Sequence, residues 1–441
     1  MPVRQQTTMK RSPLIVLFLT LFIDLFGFGM ILPLLPVYIQ HYQGAPWVGG
    51  LLLAAFSTMQ FLFAPIWGRA SDRIGRRPLI LLSLIGSAVS YFCFGAAPNL
   101  ALLFVARVAS GILTAASLPT AQAYIADVTP PEKRAGGMAL IGAAFGLGFA
   151  FGPWLGGVLG QHSVFGIPPL AMPAYFAALL ALFNFSLAFF LLPESHHDRS
   201  PSEGRAQEGP LQALRNIGLA LRNPAIGFPL TVFTFTTFAF TAVESSFSWM
   251  VLLRFHLYGQ AGAAVTSGIF GIVGVTILLT QLAVMAGLAR LAGEHRLAMF
   301  GTLLLTACLI GIGLAHDLTL IRILSAFIAI GNGVLNPSLS ALITQSAGPK
   351  DRGAISGAQQ GLASLARIIA PPINNALVAS HTGVPFFLSA CLMGSAFFLS
   401  VRLRPITSAA TPETASPPAP PVEAPTDRSW PAGTGEVERE S

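Results

Sequence analysis

Two carboxylates and two arginines stand inside long stretches that otherwise carry no charge. Asp24 opens the sequence Asp24-Leu25-Phe26-Gly27-Phe28-Gly29, and Glu244 follows an aromatic run that includes Phe233, Phe235, Phe238 and Phe240. Arg107 precedes Gly111, and Arg367 precedes Pro371-Pro372. In a hydrocarbon layer such a group costs about 2.5–3.5 kcal/mol on insertion scales, so it needs a partner, a proton or water. Asp24 falls about ten residues into its apolar run, roughly 15 Å deep, and Arg107 about seven, roughly 10 Å. Asp24 is a candidate proton or cation site, with Arg107 its candidate partner. Glu244 is either a second such site or a structural ion pair. Arg367 could receive an anionic substrate, neutralise Glu244, or pair structurally.

A second group of charges is local. Gly68-Arg69-Ala70-Ser71-Asp72-Arg73-Ile74-Gly75-Arg76-Arg77-Pro78 joins two apolar runs. Its glycines permit a tight connection. Positive anchoring at a membrane face explains the arginines, but not Asp72 set between Gly68 and Gly75. A gating role for Asp72, Arg73, Arg76 and Arg77 follows, with Asp127 as a cap or gate partner. A third pattern is structural. Gly148, Gly152, Gly156 and Gly160 recur every four residues, and small residues at this spacing let helices approach closely. Gly152-Pro153 should bend that helix, and Gly157 adds to the stripe. The glycines do not make a phosphate loop, because no strand precedes them. Gln122, Asn336, Gln359 and Phe240 are candidate lining groups of a substrate cavity.

These residues must be held by membrane helices. The chain has 441 residues, 53% hydrophobic and 10% charged, against about 25% charged in an ordinary soluble protein. No Asp, Glu, Lys or Arg occurs over 25–68, 78–106, 135–193, 255–289, 297–316, 323–349 or 368–401. Runs of this length suit helices of roughly 20 residues that span a bilayer. Turn signals divide them into twelve: 14–39, 48–68, 78–97, 100–127, 135–161 and 172–192, then 226–253, 264–289, 297–315, 318–343, 353–380 and 384–402. The first run is too long for a cleavable signal. The expected fold is an all-α polytopic membrane protein of twelve transmembrane helices, in two pseudo-symmetric halves. Its bodies would be a six-helix bundle over 1–192, a cytoplasmic linker over 193–225, a second bundle over 226–403 and a disordered tail over 404–441.

Charge placement sets the orientation. With both termini in the cytoplasm, 21 of the 25 Lys and Arg fall on the inner side, as the positive-inside tendency requires. The net charge of +7 is thereby accounted for without nucleic acid. An internal repeat supports the halves: Pro119, Pro131 and Pro153 match Pro337, Pro349 and Pro371 at a constant offset of 218 residues. Parallel repeats place a substrate site near the midplane between the halves. The adjacent His196 and His197 read as solvated linker residues rather than metal ligands. There is no nucleophile–base spacing, metal-ligand cluster or nucleotide motif, so neither an enzyme nor a cofactor is expected.

The loop Gly68–Pro78 resembles motif A of the major facilitator superfamily. With Pro65-Ile66-Trp67 before it, it is similar to the loop of the drug:proton antiporters, the tetracycline exporters among them. Arg107-Val108-Ala109-Ser110-Gly111 resembles motif B, and Gly142 to Gly157 resembles motif C, which is associated with antiporters. The resemblance implies alternating access, with Asp72 locking the outward-facing state and Arg107 linked to proton transfer. It implies proton-coupled efflux of small lipophilic compounds by a monomer in a bacterial inner membrane, surrounded by lipid. Helix nine lacks the aspartate of the tetracycline exporters, which argues against tetracycline itself. The alternatives are uptake or exchange of a sugar, organic anion or other polar metabolite, and a receptor that does not transport.

Overall fold

The structure, a computed structural model, describes residues 11–130, 134–163, 166–195, 217–218, 221, 224–284, 287, 289–345 and 352–402. His196, His197, most of the linker and the tail over 404–441 lie outside the described residues. So do Pro131 and Pro349 of the repeat.

Among the described residues twelve long helical segments follow one another, with one short helical turn at Ala289–Ala292 before the ninth. α1 joins Arg11–Ile31, a 3-10 turn at Leu32–Leu34 and Leu35–His41. α2 is Pro46–Ile74, and α3 is Arg76–Ala96. α4 joins Leu100–Thr114 and Ser117–Val128, α5 is Arg134–Leu159, and α6 is Met172–Leu191. In the second half α7 is Pro224–Arg254, α8 Gly259–Ala283 and α9 Glu294–Leu314. α10 is Leu318–Gln345, α11 Arg352–Ser380 and α12 Val384–Arg402. Among the described residues, eleven are long and apolar enough to cross a membrane. α5 is the twelfth, with the shorter apolar stretch Gly146–Leu159. The chain is an integral membrane protein.

Local chemistry sets the ends and breaks. The Asn99 side chain accepts from the Leu102 amide at 2.9 Å and starts α4, and Asp317 does the same for Leu320 at 2.9 Å before α10. Such caps satisfy amides that have no intrahelical acceptor. Pro33 and Pro36 lack the N–H that an α-helical ladder needs, and the chain tightens there into the 3-10 turn. At the break in α4 the Ile112 carbonyl accepts from the Trp67 indole at 2.7 Å.

Most boundaries shift by a few residues from the sequence reading, and two of the larger shifts have a plain physical reason. α2 runs to Ile74 rather than ending at residue 68, so Gly68 is a buried helical residue and the connection shrinks to Gly75 alone. Apolar content marks where a helix leaves the bilayer, not where its hydrogen bonds stop. α8 starts at Gly259 rather than 264. Its small first residues pack under α7, where a side chain at Gly262 would meet Leu252.

The packing is layered. α1 lies along α5, α3 along α6, and α9 along α10 and α12. The two halves meet along two seams, α2 with α11 and α5 with α8. Exposed apolar side chains such as Phe92, Phe183, Leu303 and Phe398 lie on α3, α6, α9 and α12, which suits these helices to lipid contact.

Candidate functional site

A cavity of about 480 Å³ lies between the halves. It is lined by α1, α2, α4, α7, α8, α10 and α11, with Gly146 from α5 and Tyr91 from α3. Six phenylalanines line its wall: Phe28, Phe56, Phe233, Phe240, Phe247 and Phe270. Asp24, Arg107, Glu244 and Arg367 all face it. Four groups spread over 441 residues thus reach one chamber.

Asp24 is held by hydroxyls. Ser87 of α3 donates to Asp24 Oδ1 at 2.8 Å. Ser117, the first residue after the break in α4, donates to Oδ2. Tyr91 donates to the Asp24 backbone carbonyl at 3.0 Å. The break in α4 therefore places a hydroxyl on the carboxylate of α1. Sequence inspection does not single out Ser87, Tyr91 or Ser117, whose one signal is a polar residue within an apolar helix.

The expected pairing of Asp24 with Arg107 does not form. The ion pairs between described residues are those of Arg76 with Asp72 and with Asp127. Arg107 is 3% exposed. Its guanidinium carbon lies 4.9 Å from the centre of the Phe94 ring, 5.8 Å from Phe56 and 6.0 Å from Phe28. Its Nε and Nη2 have no hydrogen-bond partner. Sequence depth gave Arg107 a bilayer position but could not show that rings, rather than a carboxylate, surround it.

In the second half, the exposed Arg367 and Glu244 both line the cavity, and the two make no ion pair. Asn336 and Phe240 also line the cavity, as do Gln60, Asn332 and Gln360. Two candidate substrate residues do not. Gln359 donates to Ser340 at 3.3 Å and ties α11 to α10. Gln122 is exposed on α4 and lies away from the lining. Asn375, 1% exposed, is bonded to Ser246 between α11 and α7.

At one end, the basic loop is a compact latch within the first half. Arg76 Nη1 donates to Ser71 Oγ at 2.6 Å and to Asp72 at 2.5 Å, while Nε reaches Asp127 at 3.2 Å. One guanidinium thus joins α2, α3 and α4. Arg77 donates to the Phe189 carbonyl at 2.6 Å and lies over that ring. Arg73 is exposed. Gly75 has φ +112°, a conformation that suits glycine. Glu194 then accepts from the Arg76 amide at 2.9 Å and the Arg77 amide at 3.2 Å. A carboxylate at the start of α3 is favoured by the helix dipole. Glu194 looks like a linker residue in the sequence, and its role as a cap is visible only in three dimensions.

At the far end, helices of the two halves touch backbone to backbone. A side chain at Gly50 of α2 would collide with the Pro371 carbonyl and with Pro372 of α11. One at Gly157 of α5 would strike Ser267 of α8. The cavity therefore lies on the basic-loop side of a far-end closure. Within the first half, Gly148, Gly152 and Gly156 seat α5 on Leu25, Phe26, Gly29 and Met30 of α1. Pro153 rests against Gly29.

The chain is similar to known proteins. The model of the Major Facilitator Superfamily matches residues 17–371, with a further match over 278–433. The tetracycline resistance protein, class G, of Vibrio anguillarum is 32% identical, covering 85% of this chain and 92% of that protein. The human major facilitator superfamily domain-containing protein 10 is 30% identical, covering 84% and 88%. A crystal structure described as the human organic anion transporter MFSD10 (TETRAN) matches with TM-score 0.66 at 26% identity, covering 89% of this chain and all of that one. The chain is a transporter and not an enzyme, and it belongs to the major facilitator superfamily.

Proposed function

We propose that this chain is a proton-coupled antiporter that exports small lipophilic compounds by alternating access. The observation that carries the reading is Asp24: a half-buried carboxylate within a membrane helix, facing a cavity lined by phenylalanines and held only by hydroxyls. Hydroxyls can turn from donor to acceptor, so Ser87 and Ser117 can serve both the charged and the protonated carboxyl. Protonating Asp24 would weaken the charge-assisted bond from Ser117 and so loosen the second segment of α4, which ends beside Asp127 and the latch. The moving bodies are 1–192 and 226–403, and the basic-loop end faces the cytoplasm of a bacterial cell. One proton moving down 100 mV yields about 2.3 kcal/mol, enough for roughly a fiftyfold gradient of a neutral substrate.

The test is proton release. Purified protein is placed in inside-out vesicles with an acidic lumen, and lumen pH is followed as lipophilic cations, neutral drugs, sugars and organic anions are added. A lipophilic compound should discharge the gradient. Response to a sugar alone, or to nothing, would overturn the reading. Export of an organic anion is a second reading, favoured by the exposed Arg367 in the cavity and by the similarity to a transporter described as moving organic anions.

A further inference from the structure

Arg107 has a surrounding that neither proton coupling nor helix packing accounts for. It is almost fully buried, yet Nε and Nη2 donate to nothing. The phenols nearby are committed elsewhere: Tyr38 donates to the Leu170 carbonyl at 2.5 Å, and Tyr91 to the Asp24 carbonyl. What surrounds the guanidinium is a three-ring cage. Phe94, 3% exposed, is its floor. Phe28 and Phe56, both half-buried and stacked at 5.7 Å, line the cavity beside it; Arg107 reaches that lining too, but its Nε and Nη2 are buried.

Ring faces hold a cation but leave its N–H donors unsatisfied. Nε and Nη2 together form the edge that matches the two oxygens of a carboxylate. A buried charge without a partner is costly, and a ligand that supplies one gains correspondingly.

We propose that Arg107 is the receptor for the carboxylate of an amphipathic organic acid. Movement of the Phe28–Phe56 pair uncovers the fork, and the same rings then lie against the apolar body of the ligand. This assigns a substrate group to the transport site and rests on the reading of the cavity as that site. Arg367, on the opposite wall, is separate: it is exposed and has no cage.

The test uses full-length protein in detergent and 4-phenylbutyrate as probe, with 4-phenylbutyramide, sodium acetate and sodium chloride as comparisons. Binding is measured by calorimetry and by thermal shift. The carboxylate should bind and the isosteric amide should bind roughly ten- to hundredfold more weakly. Arg107→Gln should lose that preference, and Arg107→Lys should recover part of it. Arg367→Gln should keep the preference, a check that holds even if Arg107→Gln folds poorly.

Equal binding of acid and amide, loss of the preference in Arg367→Gln alone, or equal protection by acetate or chloride would each overturn the assignment. Proton release in vesicles separates this outcome from the coupling proposal. Carboxylate binding through Arg107 without proton movement would leave the site standing and sink coupling. Proton movement by neutral drugs with no carboxylate preference would do the reverse.

Discussion

In the first half, each buried or latch charge is set by side chains from other helices. Asp24 takes hydroxyls from α3 and α4, Arg107 lies among three rings, and Arg76 joins α2 to α4. In the second half, Glu244 and Arg367 face the cavity with no hydrogen bond or ion pair to another described residue, and Ser325 stands where the 218-residue offset would put a counterpart of Arg107. The repeat supplies one scaffold twice, and the charges on it have diverged. A fixed constellation suits groups whose geometry must be reproduced every cycle, the proton site at Asp24 and the carboxylate receptor at Arg107. A loosely held pair suits a changing ligand.

That division can be broken by mutation. The largest effect should come from Gly50→Leu, which removes the space for α11 at the far end. Transport should vanish while the protein still inserts, with uptake assays and size-exclusion profiles as the checks. Normal transport would mean that the far-end closure is not part of the cycle. Next, Arg76→Gln should cost about 2 kcal/mol, since it removes charge-assisted bonds from a buried guanidinium to two partly exposed carboxylates. Thermal unfolding would show a lowered midpoint, and Arg76→Lys should restore little of it. Gly75→Ala should cost about 1–3 kcal/mol from backbone strain alone. Glu244→Gln should change which compounds are moved but leave proton release intact. If it abolished proton release, the roles of the two halves would be reversed. Smallest of all, Gln122→Ala should alter transport by no more than about twofold, as befits a residue outside the cavity.

Much of this molecule is legible without coordinates, because lipid imposes a simple rule on composition. Uncharged runs of bilayer length mark the helices, and the four-residue glycine repeat marks where α5 meets α1. The charged residues that matter announce themselves by being costly. What they touch does not. Ser87 and Ser117 are 63 and 93 residues from Asp24 in sequence, and nothing local links them. Gln359 and Gln360 show the same limit more sharply. Successive helical residues point about 100° apart, so the rotation of α11 decides that Gln360 faces the cavity while Gln359 bonds to Ser340. Glu194 follows the last proline of an apolar run, and only the fold of the chain brings it to the start of α3.

The central claim is that Asp24 carries the proton. It is tested most directly by comparing wild type with Asp24→Asn in two assays on the same vesicles: proton-driven accumulation of a transported drug, and its exchange against unlabelled drug with no gradient. Asparagine keeps the shape, accepts one hydroxyl through Oδ1 and donates to the other through Nδ2, but cannot ionise. The account predicts that accumulation is lost while exchange continues. Undiminished accumulation driven by protons in Asp24→Asn would contradict it.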